Sequence, residues 1–378
     1  MNGKHRTYEK SPTMDTKKEW PAALRLVWLT GGLVAISEPE SNVVLIQTSV
    51  NGRKIAQFNI SAYPALFSGL TVRGFKIIGT TFVTGVDQLE ATRAQEFRVA
   101  GLNGGWRLWD TFQAWRNIVS ASAKVNNMKL LDIASRIAAG LQYSEMRLYD
   151  LAMSYSAQLH AHLKNDEPKE MQAFTDTFSP GVYKDIHALF WEMAVLRDVL
   201  AQFVAVFCLG RDDATTLSGL RKSLKKVPSA DADAMHFLNL SDKDAAGWMA
   251  TFGAYRDCFT HSAPLHQVEG VSWAIQDLLT LKDGKTVPQI YYPLPPDADD
   301  LSRRRTRGPL FTSLKEMAEN SGRKRERASE PDAMEYLHTC LCQFTDLAAQ
   351  LLNRSPLPPR PVMITKADII GEIKVSRL

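Results

Sequence analysis

One long segment with apolar residues at helical spacing constrains the fold more than any other part of the sequence. It runs from about residue 183 to residue 208 and ends before Gly210. Apolar side chains recur there every three or four positions, which predicts a helix of about seven turns with one buried face. Such a helix is long enough to be the central helix of a bundle. Its apolar positions are Ile186, Phe190, Met193, Leu200, Phe203, Val204 and Phe207.

Helical patterns also dominate about 150 residues after Trp106, whereas residues 268–281 and 287–294, after Pro264, are β-like or irregular. The first of these helices is expected to begin at Ser144, and another at Ser241, where Asp244 completes a capping box. The Ser241 helix carries an aromatic stripe that ends at Phe259. In addition to the central helix, the patterns predict helices over residues 144–163, 214–227 and 331–352 and from Ser241 onward.

The region before Trp106 has a different pattern. Residues 42–50 and 53–60 are rich in β-forming side chains, and Asn51-Gly52 between them is a strong hairpin signal. A third β-prone stretch covers residues 71–84. The sequence therefore predicts a mainly α protein, a helical bundle with a small β-containing N-terminal region, which is α+β overall.

Shifts in composition divide the chain into four parts. The N-terminal tail is polar and mixed in charge, so it is expected to be disordered, and the C-terminal tail is rich in proline. The predicted parts are a tail at 1–19, the β-containing region at 20–104, a helical domain at 105–355 with a basic insertion at 298–330, and a tail at 356–378.

The positive charge is concentrated in the basic insertion. Residues 301–330 contain nine Lys or Arg and four Glu, a local charge of +5, whereas the whole chain carries +4. These side chains are candidates for binding RNA phosphates, and the alternative is a solvated, mobile loop. The candidate RNA-binding residues are Arg303, Arg304, Arg305, Arg307, Arg323, Lys324 and Arg325.

A guanidinium and an imidazole lie five positions apart near the end of the Ser241 helix, where Arg256 and Asp257 precede His261. These two groups suffice for metal-free cleavage of an RNA phosphodiester, because histidine transfers protons near neutral pH and arginine stabilises phosphate charge. Residues five apart differ by about 140° in a regular helix, so the pair converges only if the helix loosens. Alternatively, Arg256 pairs with a surface acid and His261 caps the helix C-terminus.

A helical bundle with Arg-Asp-x-x-x-His at the end of a late helix resembles the HEPN superfamily. The resemblance covers residues 106–355 in helix order and is sharp only over residues 256–261. The resemblance implies a metal-independent endoribonuclease that uses no cofactor. Such an enzyme is usually a homodimer in which the motifs of the two protomers form one cleft. Arg256 and His261 would be the catalytic pair, with Asp257 orienting them. Members of this superfamily act as toxins or antiviral effectors, and others are inactive binding modules.

The competing interpretation is a non-catalytic helical module that dimerises or binds RNA or a protein partner. Under either interpretation, the N-terminal region could be a sensor or a surface that binds a regulatory protein partner. Glu192 and Arg197 on the central helix could face the same cleft, although an exposed position is the ordinary expectation. No Gly-rich phosphate loop, Gly-x-Ser-x-Gly elbow or His-Glu-x-x-His occurs, which argues against nucleotide hydrolases, serine hydrolases and zincins.

The remaining expectations concern metals and location. His160 and His162 would point away from each other on a helix, and His338 with Cys342 supplies only two ligands, so no metal site is predicted. The four cysteines form no spaced framework, which favours a reducing compartment, and residues 22–36 are too short for a membrane span. A cytoplasmic protein without a membrane partner is expected.

Overall fold

Helices and antiparallel sheets together form an α+β fold in the part of the chain that the computed structural model describes. That part comprises residues 23–83, 95–164, 167–226, 230–245, 247–262, 273–296, 311–321 and 330–361, and the single residues 228, 298, 308 and 309.

The first sheet has six antiparallel strands: β1 (Leu24–Leu29), β2 (Val34–Ser37), β3 (Val43–Gln47), β4 (Lys54–Asn59), β5 (Ile77–Val83) and β6 (Gln95–Val99). Their order across the sheet is β4-β3-β2-β1-β5-β6. Side chains alternate between the two faces of a strand, and nearly every residue of β1 and β2 is buried. Both faces of the sheet are therefore covered at its centre. The presence of these strands confirms that the N-terminal region contains β-structure.

The predicted hairpin around Asn51-Gly52 is confirmed, because β3 pairs with β4 from Val43 opposite Asn59 to Gln47 opposite Lys54. The β-prone stretch at residues 71–84 is only partly a strand. Helix α1 (Ala65–Val72) occupies its beginning, and β5 starts after the turn at Gly74, whose φ of 98° is easily adopted only by glycine.

Eight further α-helices follow in the described residues: α2 (Arg107–Lys124), α3 (Met128–His162), α4 (Ser179–Phe203), α5 (Leu217–Lys226), α6 (Ala232–Leu240), α7 (Trp248–Asp257), α8 (Leu314–Ser321) and α9 (Ala333–Leu351). The predicted central helix is confirmed as α4, which continues in a π-helical turn, Val204–Cys208. Helix α3 runs antiparallel to α4, since Arg136 bonds to Gln202 and Ser154 bonds to Asp185. Helices α2, α3, α4 and α9 pack around one apolar core.

Two predicted helix starts were wrong. Helix α3 begins long before Ser144, at an N-cap formed by Asn127, whose side chain accepts a hydrogen bond from the Leu130 amide at 3.1 Å. Ser144 is buried inside that helix because the apolar stripe extends through it. Ser241 is the C-cap of α6, and α7 begins after Gly247, so the proposed capping box does not exist.

A second sheet lies within the mainly helical part of the chain, and two of its strands fall in the segments 268–281 and 287–294 that were predicted to be β-like or irregular. It consists of β7 (Gln172–Phe174), β8 (Ala274–Thr280) and β9 (Thr286–Tyr291), in that order and antiparallel. Residue Gln289 of β9 lies against Gly31, where an added Cβ would come within 2.4 Å of the Gln289 Cβ. The second sheet therefore packs against the turn between β1 and β2, and the two parts of the chain share a close contact.

Candidate functional site

Arg256 and Asp257 form the last residues of α7. The buried side chains of Phe252 and Tyr255 fix this helix against the core, and the Tyr255 hydroxyl donates to the Pro295 carbonyl at 2.9 Å. The Nη1 atom of Arg256 lies 3.1 Å from Oδ1 of Asp257. The Arg256 side chain remains 24% exposed, and its buried Nε has no hydrogen-bond partner among the described residues. The guanidinium is therefore accessible and incompletely bonded.

His261 follows in a π-helical turn, Cys258–Ser262, directly after α7. The buried side chains of Cys258 and Phe259 anchor this turn, whereas His261 is exposed. A π-helical turn has more residues per turn than an α-helix, so it lowers the angle about the helix axis between His261 and Arg256, which lies at the end of α7. The loosening that the motif requires is present. Within the described residues, no hydrogen bond or ion pair joins Arg256 to His261.

A second arginine, Arg197 on α4, is buried beside α7. A Cβ added to Gly253 would lie 3.6 Å from Arg197 Nη1, an ordinary van der Waals contact, so the guanidinium lies directly against α7. Asp198 Oδ1 accepts hydrogen bonds from Arg197 Nε at 3.1 Å and Nη2 at 3.0 Å. The pKa of Arg197 is lowered mainly by burial, and the positive charge of Arg256 adds to the effect. The expected exposed position of Arg197 was therefore wrong.

His187 on α4 is a second imidazole next to the motif, and the sequence analysis did not single it out. Its ring stacks on Phe259 of the π-helical turn, with centroids 5.3 Å apart and an angle of 25° between the ring planes. Phe259 also contacts Phe190 edge-to-face at 5.2 Å. The only sequence signal was a histidine three residues before Phe190 on the central helix.

Exposed apolar side chains lie on the outer face of α3 and α4. Trp191 and Val195 of α4 are each 55% exposed, and Tyr143 and Met146 of α3 are 52% and 55% exposed. Because the two helices run antiparallel, these four residues lie at similar levels along the helix pair, and we call them the α3–α4 patch. Glu192, next to Trp191, is half-buried, and burial raises its pKa. Two residues of the patch, Trp191 and Val195, lie on the same helix as His187 and Arg197.

The structure does not test the candidate RNA-binding residues. All seven lie in two segments, residues 299–307 and 322–329, that are outside the described residues. The seven residues are Arg303, Arg304, Arg305, Arg307, Arg323, Lys324 and Arg325.

The histidines weighed as metal ligands have other partners. His160 Nδ1 bonds to the Thr48 hydroxyl at 3.0 Å, and His162 Nε2 bonds to Gln276. Another group, formed by Cys208, Asp231 and Asp233, brings three possible ligand atoms within 4.8 Å of one another. The Arg354 guanidinium contacts both of those carboxylates, so a cation of the protein itself already neutralises them.

Comparisons of the chain with protein-family models, with curated proteins and with solved structures found no match. The HEPN resemblance therefore rests on the residues and the geometry alone. None of the helices in the described part of the chain combines the length and the apolar character that crossing a membrane requires.

Proposed function

We propose that this protein is a metal-independent endoribonuclease of the HEPN type, with Arg256, Asp257 and His261 in its active site. The observation that carries the proposal is the π-helical turn that follows Arg256. Because it occupies most of the segment between Arg256 and His261, it brings the two side chains nearer to one face than a regular α-helix would, while His261 stays exposed to a substrate. π-Helical turns also occur frequently at functional sites.

In the proposed reaction, the ribose 2′-oxygen attacks the adjacent phosphorus and the bond from phosphorus to the 5′-oxygen breaks. The 2′-hydroxyl proton passes to a base, and an acid protonates the leaving 5′-oxygen, with His261 in one of these roles. Arg256 stabilises the negative charge on the phosphorane oxygens, and Asp257 orients the guanidinium through their 3.1 Å contact. The products are a 2′,3′-cyclic phosphate and a 5′-hydroxyl.

A homodimer would supply the second proton-transfer group. One copy of the motif contains one histidine, so the base and the acid come from the two His261 side chains of a dimer. The α3–α4 patch supports this assembly, because groups of large exposed apolar side chains are typical of protein interfaces. The arginines of the basic insertion would hold the RNA near the shared cleft.

RNA cleavage by purified variants tests the proposal. We expect Arg256→Ala and His261→Ala each to lower the cleavage rate by about 10²- to 10⁴-fold with the fold retained. His236→Ala is the matched control, because His236 is an exposed histidine in the middle of α6, and this variant should cleave RNA as the wild type does. Upstream fragments should end in 2′,3′-cyclic phosphate. Fragments ending in a 3′-hydroxyl would exclude this chemistry.

The alternative is a non-catalytic module that dimerises or binds RNA or protein, and the α3–α4 patch favours it equally. Absence of cleavage by the wild-type protein, together with a stable dimer, would support the module.

Deletion of residues 301–330 tests whether the basic insertion binds RNA. If the protein keeps its salt-dependent affinity for RNA after this deletion, the basic insertion is not the RNA-binding segment.

A further inference from the structure

A cavity of about 940 Å³ lies where β5, α1, α9 and the loop of residues 100–106 meet. Its volume falls in the range of small-molecule sites, roughly 300 to 1,000 Å³. The loop reaches it through Gly104 and Gly105, whose φ angles of 85° and 78° favour glycine. None of the residues proposed for RNA cleavage lines the cavity.

Aromatic side chains form one wall of the cavity. Phe67 contacts Trp106 edge-to-face, with centroids 5.5 Å apart and an angle of 80° between the ring planes, and Tyr63 contacts Phe67 similarly at 6.5 Å. Buried Phe75 adds a fourth ring. Because the rings already contact one another, the wall is formed before any ligand binds, and it suits a flat aromatic molecule.

Hydroxyl groups on the cavity wall are available as hydrogen-bond acceptors. Ser68, Thr71 and Thr339 each donate their proton to a carbonyl of their own helix, over 3.3, 3.0 and 2.9 Å respectively. A hydroxyl that has donated its proton still offers lone pairs. The wall therefore favours a ligand that donates hydrogen bonds.

The charged groups at the cavity cancel one another. Lys76 Nζ lies 2.7 Å from Glu335 Oε2, and burial lowers the pKa of His338, so the imidazole is neutral. His338 Nε2 donates to the Ala100 carbonyl at 2.7 Å, which leaves Nδ1 as a further acceptor. A cavity without net charge favours an uncharged ligand.

We propose that this cavity binds a neutral heteroaromatic compound that bears amino-group donors and has the size of a purine nucleoside. The ring packs against Phe67 and Trp106, and the amino group donates to the acceptor oxygens of Thr71 and Thr339. This inference is independent of the proposed ribonuclease activity.

Calorimetric titration of the full chain tests the proposal with adenosine, guanosine and cytidine as donor-bearing probes. Purine riboside, which lacks the exocyclic amine of adenosine, is the comparator. We expect at least one donor-bearing nucleoside to bind at one site per chain with a dissociation constant of about 0.1 mM or lower. If that nucleoside is adenosine, purine riboside should bind about tenfold more weakly.

Two substitutions on α1 locate the binding site. Ser68→Trp fills the mouth of the cavity from an exposed position and should abolish binding. Ser120→Trp is its matched control, because Ser120 is an exposed helical serine on α2 that also donates to a carbonyl of its own helix. Thr71→Val removes one acceptor with little change of shape, and it should weaken donor-bearing ligands several-fold while leaving purine riboside unchanged.

Three results would overturn the inference. The first is that no donor-bearing nucleoside binds more tightly than about 1 mM. The second is that adenosine is the best probe and purine riboside binds as tightly as adenosine. The third is that Ser68→Trp, or Thr71→Val if the former does not fold, leaves the affinity of the best probe unchanged. RNA cleavage should be the same in wild type and Ser68→Trp, so failure of either proposal is distinguishable from failure of the other.

Discussion

Glu145 is a carboxyl side chain buried in α3, next to the end of β6. Its Oε1 accepts a hydrogen bond from the Val99 amide at 3.1 Å, and Arg98 lies close enough to interact with its charge. Burial nevertheless raises its pKa from the ordinary value of 4.5 to about 7. The loss of water around the carboxylate outweighs both favourable contacts, so the residue is protonated in the folded protein at weakly acidic pH.

Replacing Glu145 with glutamine should make the protein relatively more stable at higher pH. Between pH 4.5 and about 7, the folded protein holds a proton that the unfolded chain has lost, so the wild-type free energy of unfolding falls as the pH rises. Glutamine keeps an acceptor for the Val99 amide and does not ionise. The stability of Glu145→Gln relative to wild type should increase by roughly 2 to 3 kcal/mol between pH 5 and pH 8.

Urea unfolding at several pH values measures this difference. Glu319→Gln is the control, because the Glu319 side chain on α8 is 66% exposed, and its difference from wild type should change little with pH. A pH-independent difference for Glu145→Gln would contradict the pKa assigned to Glu145.

At the scale of elements, Asp332 joins the N-terminus of α9 to two other parts of the core. Its Oδ2 accepts from the Glu335 amide at 3.0 Å as an N-cap, and its Oδ1 accepts from the Tyr155 hydroxyl at 2.9 Å and the Tyr292 amide at 2.8 Å. One carboxylate therefore fixes α9 against α3 and against the residue that follows β9. The same helix presents Glu335, His338 and Thr339 to the cavity.

Substituting Asp332 with alanine should be strongly destabilising. The change removes an N-cap and leaves two buried donors, the Tyr155 hydroxyl and the Tyr292 amide, without their acceptor. We expect a loss of about 4 kcal/mol in the free energy of unfolding, measured by chemical denaturation. Asp231→Ala is the control, because Asp231 caps α6 at a more exposed position and should cost about 1 kcal/mol. Equal losses would contradict the role assigned to Asp332.

For the whole molecule, the α3–α4 patch bears on the proposed dimer. Its four apolar side chains are exposed to water on α3 and on α4, the helix that packs against α7. Burial of that surface against a second copy would favour association by the hydrophobic effect.

Placing a charge in the patch should therefore weaken the proposed dimer. We expect wild-type protein to sediment as a dimer at micromolar concentration, and Trp191→Glu to raise its dissociation constant at least about tenfold, because a buried carboxylate without a partner is costly. Met235→Glu is the control, since Met235 is 41% exposed on α6, away from the patch. A monomeric wild-type protein that still cleaves RNA would contradict the dimer, and His187 would then be the first candidate for the second proton-transfer group.

The elements that sequence patterns predicted best are those with strong local signals. The hairpin at Asn51-Gly52 and helix α4 were predicted because turn chemistry and apolar spacing act within a few residues. Helix α6 was missed because it has only nine residues. The true start of α3 was missed because polar Ser144 and Glu145 lie within its apolar stripe, and Ser144 was interpreted as an N-cap. Strand β7 was missed as well, because three residues give no detectable alternation.

For the candidate site, the sequence identified Arg256, Asp257 and His261 and the requirement that the helix loosen between them. The π-helical turn that meets this requirement depends on the packing of Cys258 and Phe259, which no spacing rule reveals. The neighbours of the motif also came only from the fold. His187 and Arg197 lie far from it in the chain, and they meet it because α4 packs against α7.

The sequence by itself determined the hairpin at Asn51-Gly52, the long helix α4, the concentration of basic charge and the motif, because each depends on residues close together in the chain. Only the tertiary structure decided which charged groups are buried, such as Glu145 and Arg197, and where a cavity remains between β5, α1 and α9. Burial and cavities arise from contacts between segments distant in sequence, and a carboxyl or guanidinium gives no local sign of the water that it will lose on folding.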